Sequence, residues 1–171
     1  SMLKKGEFMI VFKILDTKDM MSHLLLKETF DNWFLVEAQV TTFARLGIAG
    51  RRNRNWYDQE NDQTDLIGWG EMRPFLFQYI RGKRSPEAFT FSLKLSEMAA
   101  KNWIREEGLY QRLHDKKVEL LLQFRYEKDS LYLVTGISQL EFTMDKRDEN
   151  SWDLLVPQIL KALKISFDKN V

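Results

Sequence analysis

The sequence predicts an α+β protein built on a mostly antiparallel sheet, and three observations carry that expectation. Phe89, Phe91, Leu93 and Leu95 alternate with Thr90, Ser92 and Lys94, the period-two pattern of a half-buried strand. Two apolar extended runs, 118–126 and 131–135, are joined by Glu127, Lys128, Asp129 and Ser130, which reads as a hairpin. Apolar residues elsewhere recur at helical spacing, as in Trp152, Leu155, Val156, Ile159, Leu160 and Leu163.

The elements follow in order. Residues 8–15 are apolar, include β-branched members and read as a strand ending at Asp16 and Thr17. Thr17 is a candidate N-cap, with Asp19 favoured by the helix dipole, for a helix reaching about Glu28 through Met20, Met21, Leu24 and Leu25. Residues 33–48 are extended, as one bent strand or two strands in a hairpin, with Phe34, Val36, Ala38 and Val40 on one face. Residues 50–64 are polar and read as an exposed loop. A helix follows over about 71–81, with Pro74 in its first turn and Gly82 just past its end. After the strand at 88–95, Ser96 caps a helix running to about Glu107, and Gly108 stops it. Gly136 breaks or bulges the second hairpin strand, and residues 140–144 form a final strand. The C-terminal helix covers about 152–166 and either begins near Asp153 or kinks at Pro157.

Both parts of the chain share an order of strand, capped helix and extended segments. The whole reads as one unit, 1–171, with two halves at about 8–60 and 88–145. Such tandem β-α-β-β(-β) units resemble, in topology, the DNA sliding-clamp fold of polymerase processivity factors. A second resemblance rests on Trp69, Met72-Arg73-Pro74-Phe75 and Ile80-Arg81-Gly82-Lys83-Arg84-Ser85-Pro86, with Leu24-Leu25-Leu26 and Thr29-Phe30-Asp31. These are similar to an uncharacterised protein family of Clostridia and related bacteria. That resemblance implies a bacterial cytoplasmic protein over nearly this whole length, with no assigned activity and no catalytic residues to carry over.

Composition narrows the chemistry. The 171 residues are 44% hydrophobic and 13% aromatic, enough apolar area for a packed core. Twenty-six Lys and Arg face 25 Asp and Glu, for a net charge of +1, so an electrostatic partner must be met by a local patch. Zero cysteine removes disulfides, thiolate nucleophiles and cysteine metal sites, and accords with a reducing cytoplasm. No apolar run reaches the ~20 residues of a membrane span, and no signal-peptide pattern follows Lys4 and Lys5. Ser1 ahead of Met2 reads as an expression-tag remnant.

Catalytic motifs are absent from the string. His23 and His114 have no metal-ligand spacing, and Asp58, Glu60, Asp62 and Asp65 lack the register of a calcium loop. No nucleophile elbow occurs, and Gly47, Gly50, Gly68 and Gly70 form no complete phosphate loop. No cofactor, metal or catalytic residue is therefore assigned. Two basic segments stand out as candidate anion or nucleic-acid contacts: Arg51, Arg52 and Arg54, and then Arg81, Lys83 and Arg84. Beside them Trp56, Tyr57 and Trp69 are candidate recognition aromatics in polar, glycine-flanked loops. The plain alternative is solvated charge and folded-back rings. Recognition of a protein or a nucleic acid, away from membranes, is thus expected ahead of catalysis.

Overall fold

The computed structural model describes residues 8–57, 64–141 and 143–170. Within them the order is β1 (Phe8–Ile14), α1 (Thr17–Leu25), β2 (Phe34–Thr41), β3 (Arg45–Ala49), α2 (Trp69–Ile80), β4 (Ala88–Lys94) and α3 (Glu97–Trp103). Then come α4 (Glu107–His114), β5 (Val118–Glu127), β6 (Ser130–Gln139), α5 (Arg147–Ala162) and β7 (Phe167–Asn170). All seven strands join one sheet in the order β3-β2-β4-β5-β6-β1-β7, and every pairing is antiparallel. The fold is α+β. Segments 8–60 and 88–145 share this sheet, because β1 joins it beyond β6 while β2 and β3 lie beyond β4.

Strand alternation decides which face is buried. Phe91 lies opposite both Ala38 and Phe124, and Phe124 opposite Leu133, so one face presents a continuous apolar row. That row belongs to the same buried cluster as Met20, Leu24, Trp69, Leu76, Leu109, Trp152 and Ile159 from the helices. The next row, Lys13, Tyr132, Arg125, Thr90 and Gln39, is in register on the opposite face. Helices therefore cover one side of the sheet, and the other carries a polar row, a common arrangement for antiparallel sheets. Phe89 stacks on Phe91 at 4.4 Å and on Tyr126 at 5.2 Å. Each such fully buried side chain contributes about 1.5–3 kcal/mol.

Local chemistry explains several elements and corrects others. The β5–β6 hairpin turns on Lys128 and Asp129, whose φ values of 50° and 62° fit a type I′ turn. Residues 33–48 resolve into the β2–β3 hairpin. Ser96 caps α3, its hydroxyl accepting the Ala99 N–H at 3.1 Å. Thr17 is instead the first residue of α1. Asp16 precedes it without a side-chain cap, and its carboxylate accepts the Ser166 N–H at 2.7 Å.

The helix after Ser96 ends at Trp103, and Gly108 stands in the first turn of α4 rather than stopping a helix. Helix α2 begins at Trp69, so Pro74 lies inside it, where the absent N–H leaves one intrahelical bond unmade. Gly136 stays paired with Leu121, and the irregularity falls in β1 between Phe8 and Val11. Of the expected strand at 140–144, residues 140, 141, 143 and 144 are not in a strand, and residue 142 lies outside the described residues. Leu140 and Met144 are 76% and 82% exposed in a bend. The last strand is β7, paired with β1 after Lys164 turns the chain at φ 61°. Helix α5 starts earlier than expected, at Arg147, and holds Pro157 internally.

Candidate recognition surface at the two ends of α2

At the N-terminal end of α2, the chain after β3 is held by main-chain bonds on both sides. Ile67 donates to Gly50 O at 2.8 Å, Leu35 donates to Ile67 O at 2.9 Å, and Arg52 donates to Asp65 O at 2.7 Å. Only glycine fits at position 50, since a Cβ there would sit 1.7 Å from Leu35 O. This backbone course turns Arg52 inward, where it is 8% exposed. Its Nη1 and Nη2 bind Glu71 Oε1 and Oε2 at 3.0 and 2.8 Å. Nη1 also donates to the Tyr57 hydroxyl at 2.7 Å, and Nε to Thr64 O at 2.9 Å.

Glu71 serves a second purpose. It is the third residue of α2, and its Oε2 accepts the Gly68 N–H at 2.6 Å, satisfying an orphan donor at the positive end of the helix dipole. The Arg52 hydrogen bonds hold the Glu71 carboxyl below its ordinary range, and Glu71 in turn pushes the Arg52 pKa up. With its N–H groups committed in this way, Arg52 joins the 50–57 segment to α2. It acts as a structural latch, and its buried guanidinium faces these partners.

Trp69 also faces inward, the folded-back alternative. It is fully buried, donates Nε1–H to Leu24 O at 2.8 Å, and packs its ring 5.0 Å from Phe91. Tyr57 is half-buried against Arg52. Trp56 remains outside at 81% exposure, beside Arg51 and Arg54. Arg54 pairs with Asp65 at 2.8 Å, and these residues line a shallow concavity of about 440 Å³.

The C-terminal end of α2 is built differently. The Tyr79 hydroxyl accepts from Thr42 Oγ1 at 3.0 Å and donates to Ala44 O at 3.3 Å, fastening the helix to the β2–β3 turn. That turn carries Phe43, 95% exposed, with its ring 6.3 Å from that of Tyr79. Phe75, one helical turn before Tyr79, is 53% exposed. Gly82 follows the helix at φ 154°, a conformation side chains rarely adopt, and lets the chain turn away. Arg81, Lys83 and Arg84 are all exposed there, and Arg45 follows the turn. None of these four makes an ion pair with a described residue, while Arg73 is bound to Asp31 at 2.7 Å. The cations also suit the negative end of the helix dipole.

The two predicted basic segments therefore do not converge. They lie at opposite ends of a 12-residue helix, about 18 Å apart along its axis. Sequence reasoning missed Phe43, Phe75 and Arg45. The available signal was an aromatic between Thr42 and Ala44, in what the hairpin alternative made a turn.

Elsewhere the polar groups pair with one another. Among the described residues no three His, Asp or Glu side chains gather as metal ligands. A concavity of about 250 Å³ includes Arg112 and Asp148, which bind each other through both guanidinium and carboxylate forks. Burial pushes the Asp153 carboxyl up, and it accepts the Thr135 hydroxyl at 3.0 Å. No described helix is long and apolar enough to cross a membrane.

A family model described as a family of unknown function, DUF5721, matches residues 23–168. The chain belongs to that family. The match includes both ends of α2, the β2–β3 hairpin and every strand except β1 and the end of β7. No curated protein and no solved structure matches the chain.

Proposed function

We propose that this member of the family is a non-catalytic binding protein that docks an acidic segment of another protein where the β2–β3 turn meets the C-terminal end of α2. The observation that carries the reading is the exposed Phe43 ring against Tyr79, with exposed Arg45 after its turn and exposed Arg81, Lys83 and Arg84 after the helix, none of them in an ion pair with a described residue. In sequence, residues 38–57 hold four arginines and residues 72–86 three arginines and one lysine, with no carboxylate in either segment. The second segment is flanked by Glu71, which binds Arg52, and by Glu87. Within a chain of net charge +1, such a patch sets a local field that selects acidic partners. Aromatic and arginine side chains at an exposed site supply anchoring area and bidentate carboxylate contacts.

Nucleic acid is the competing partner, favoured by Trp56 beside Arg51 and Arg54. Arg52 and Arg54 are already engaged by Glu71 and Asp65, which leaves the α2 C-terminal end the stronger site. The test measures affinity for a labelled glutamate-rich peptide and for a single-stranded oligonucleotide, each at low and high salt. Peptide binding that weakens with salt, and falls about tenfold in an Arg81→Ala/Lys83→Ala/Arg84→Ala variant, is expected. Tighter binding of the oligonucleotide, or no binding of the peptide, overturns the reading.

A further inference from the structure

The sheet ends in two unlike edges. Strand β7 is four residues long and carries Asp168 and Lys169, charges of the kind that discourage further pairing. Strand β3, Arg45-Leu46-Gly47-Ile48-Ala49, carries one charge, at its first residue. The phase of its ladder is set by the Gly50 N–H, which donates to Val36 O at 2.9 Å. Ile48 and Leu46 share that phase and face β2. Arg45, Gly47 and Ala49 consequently turn their N–H and C=O groups away from the sheet. Among the described residues, no hydrogen bond reaches those outward groups.

The flank of this edge is open and chemically marked. A Cβ built on Gly47 meets nothing within 4 Å. Leu46 and Ile48 are half-buried, and both pack against the same core as Phe77, Tyr79 and Ile80 of α2. An incoming strand therefore finds main-chain partners along about 13 Å of edge and an apolar layer to continue on one face. Arg45 lies on the edge itself, and Arg81, Lys83 and Arg84, exposed and without an ion pair to a described residue, follow the helix end fastened to its turn. A second copy of this chain is disfavoured as occupant, because self-pairing at β3 would join two strands whose one charged residue is Arg45 in each, with no carboxylate on either strand to meet it.

We propose that β3 accepts an extended acidic peptide, alternating carboxylate and apolar residues, as an eighth strand of the sheet. Main-chain bonds to Arg45, Gly47 and Ala49 supply the docking, while Arg45, Arg81, Lys83 and Arg84 select the acidic character. This rests on the acidic-partner reading above and specifies how that partner is held.

The test compares a labelled peptide alternating glutamate and valine with the same peptide N-methylated at every second backbone nitrogen, in both registers. N-methylation leaves the charge unchanged and removes the edge donors. One methylated register is expected to bind at least about tenfold more weakly than the parent, with amide exchange slowed at Arg45, Gly47 and Ala49 by the parent. Gly47→Pro, which removes an outward N–H, should weaken the parent to a similar degree without moving Tm. Equal binding of parent and both methylated peptides overturns strand addition while leaving electrostatic docking standing. Absence of binding by the parent overturns both. The peptide comparison uses the unaltered protein and stands even where the proline variant fails to fold.

Discussion

Both ends of α2 set arginines beside aromatic rings, and the two ends do opposite things. At the N-terminal end, Arg52, Glu71, Tyr57 and Trp69 spend their donors and rings on one another and on the core. At the C-terminal end, Arg81, Lys83 and Arg84 extend into solvent, and Phe43 leans on Tyr79 with most of its ring exposed. The difference lies in carboxylate supply. Glu71, Asp65 and Asp31 neutralise Arg52, Arg54 and Arg73, whereas no acid among the described residues is paired at the far end. An arginine beside an aromatic is thus a latch or a docking surface according to where the nearest acid falls.

The sharpest break between the ends should be Trp69→Ala against Trp56→Ala. Trp69 fills the core and satisfies Leu24 O, so its truncation should cost about 3–5 kcal/mol. A chain of this size loses about 2–4 °C of Tm per kcal/mol, so a fall on the order of 10 °C is expected by calorimetry. Trp56→Ala should stay within about 0.5 kcal/mol of the unaltered protein. Comparable losses from both would show that Trp56 is not the exposed residue described.

Arg52→Ala comes next. It orphans the Tyr57 hydroxyl, Thr64 O and Glu71 together, but the Glu71 side chain is 52% exposed and recovers water. A loss of about 2 kcal/mol by denaturant unfolding is expected, below the 3–5 kcal/mol of a fully buried broken pair. Arg51→Ala, one residue away, should change stability by less than about 0.5 kcal/mol.

A smaller effect is pH-dependent. The Glu71 carboxyl is held below its ordinary range by Arg52 first, and by the Gly68 N–H. Its folded value lies below its unfolded value, so its contribution is complete above the ordinary carboxylate range and disappears as pH falls through the lowered value. Glu71→Gln should therefore be less stable than the unaltered protein near neutrality, by about 1 kcal/mol, and indistinguishable from it in acid. A constant difference across pH would mean that the charge is not what Arg52 reads.

These contrasts also mark where the sequence was legible. The β4 alternation, the Ser96 cap and the β5–β6 turn were readable because each depends on residues close together in the chain. Strand β7 was not, since Phe167-Asp168-Lys169-Asn170 has no alternation of its own and becomes a strand by pairing with β1, more than 150 residues earlier. Gly108 signalled a stop yet sits in a helix, because Leu109 and Leu113 of α4 are buried in the core. At the site, both basic segments were visible, but Arg52 differs from Arg51 through its bonds to Tyr57, Thr64 and above all Glu71, which lies 19 residues away on another element. Glu71 at the third helical position was a readable capping signal, and its guanidinium partner was not.

The smallest stability change belongs to the C-terminal end, and its smallness is the point. Phe43→Ala and Arg81→Ala/Lys83→Ala/Arg84→Ala remove exposed groups with no ion pair to a described residue, so each should cost less than about 1 kcal/mol, a few tenths of it from the helix dipole. Their effect should fall instead on peptide affinity, about tenfold for the triple variant and several-fold for Phe43→Ala, measured by fluorescence anisotropy. Arg52→Ala should show the reverse profile, with stability lost and the α2 C-terminal surface intact. A triple variant that unfolds as readily as Arg52→Ala would place hidden structural contacts at 81–84 and merge the two ends into one latch. Unchanged stability with unchanged affinity would leave the rings and cations of this end as ordinary solvated surface, and the docking site would have to move to the concavity lined by Arg51, Arg54 and Asp65.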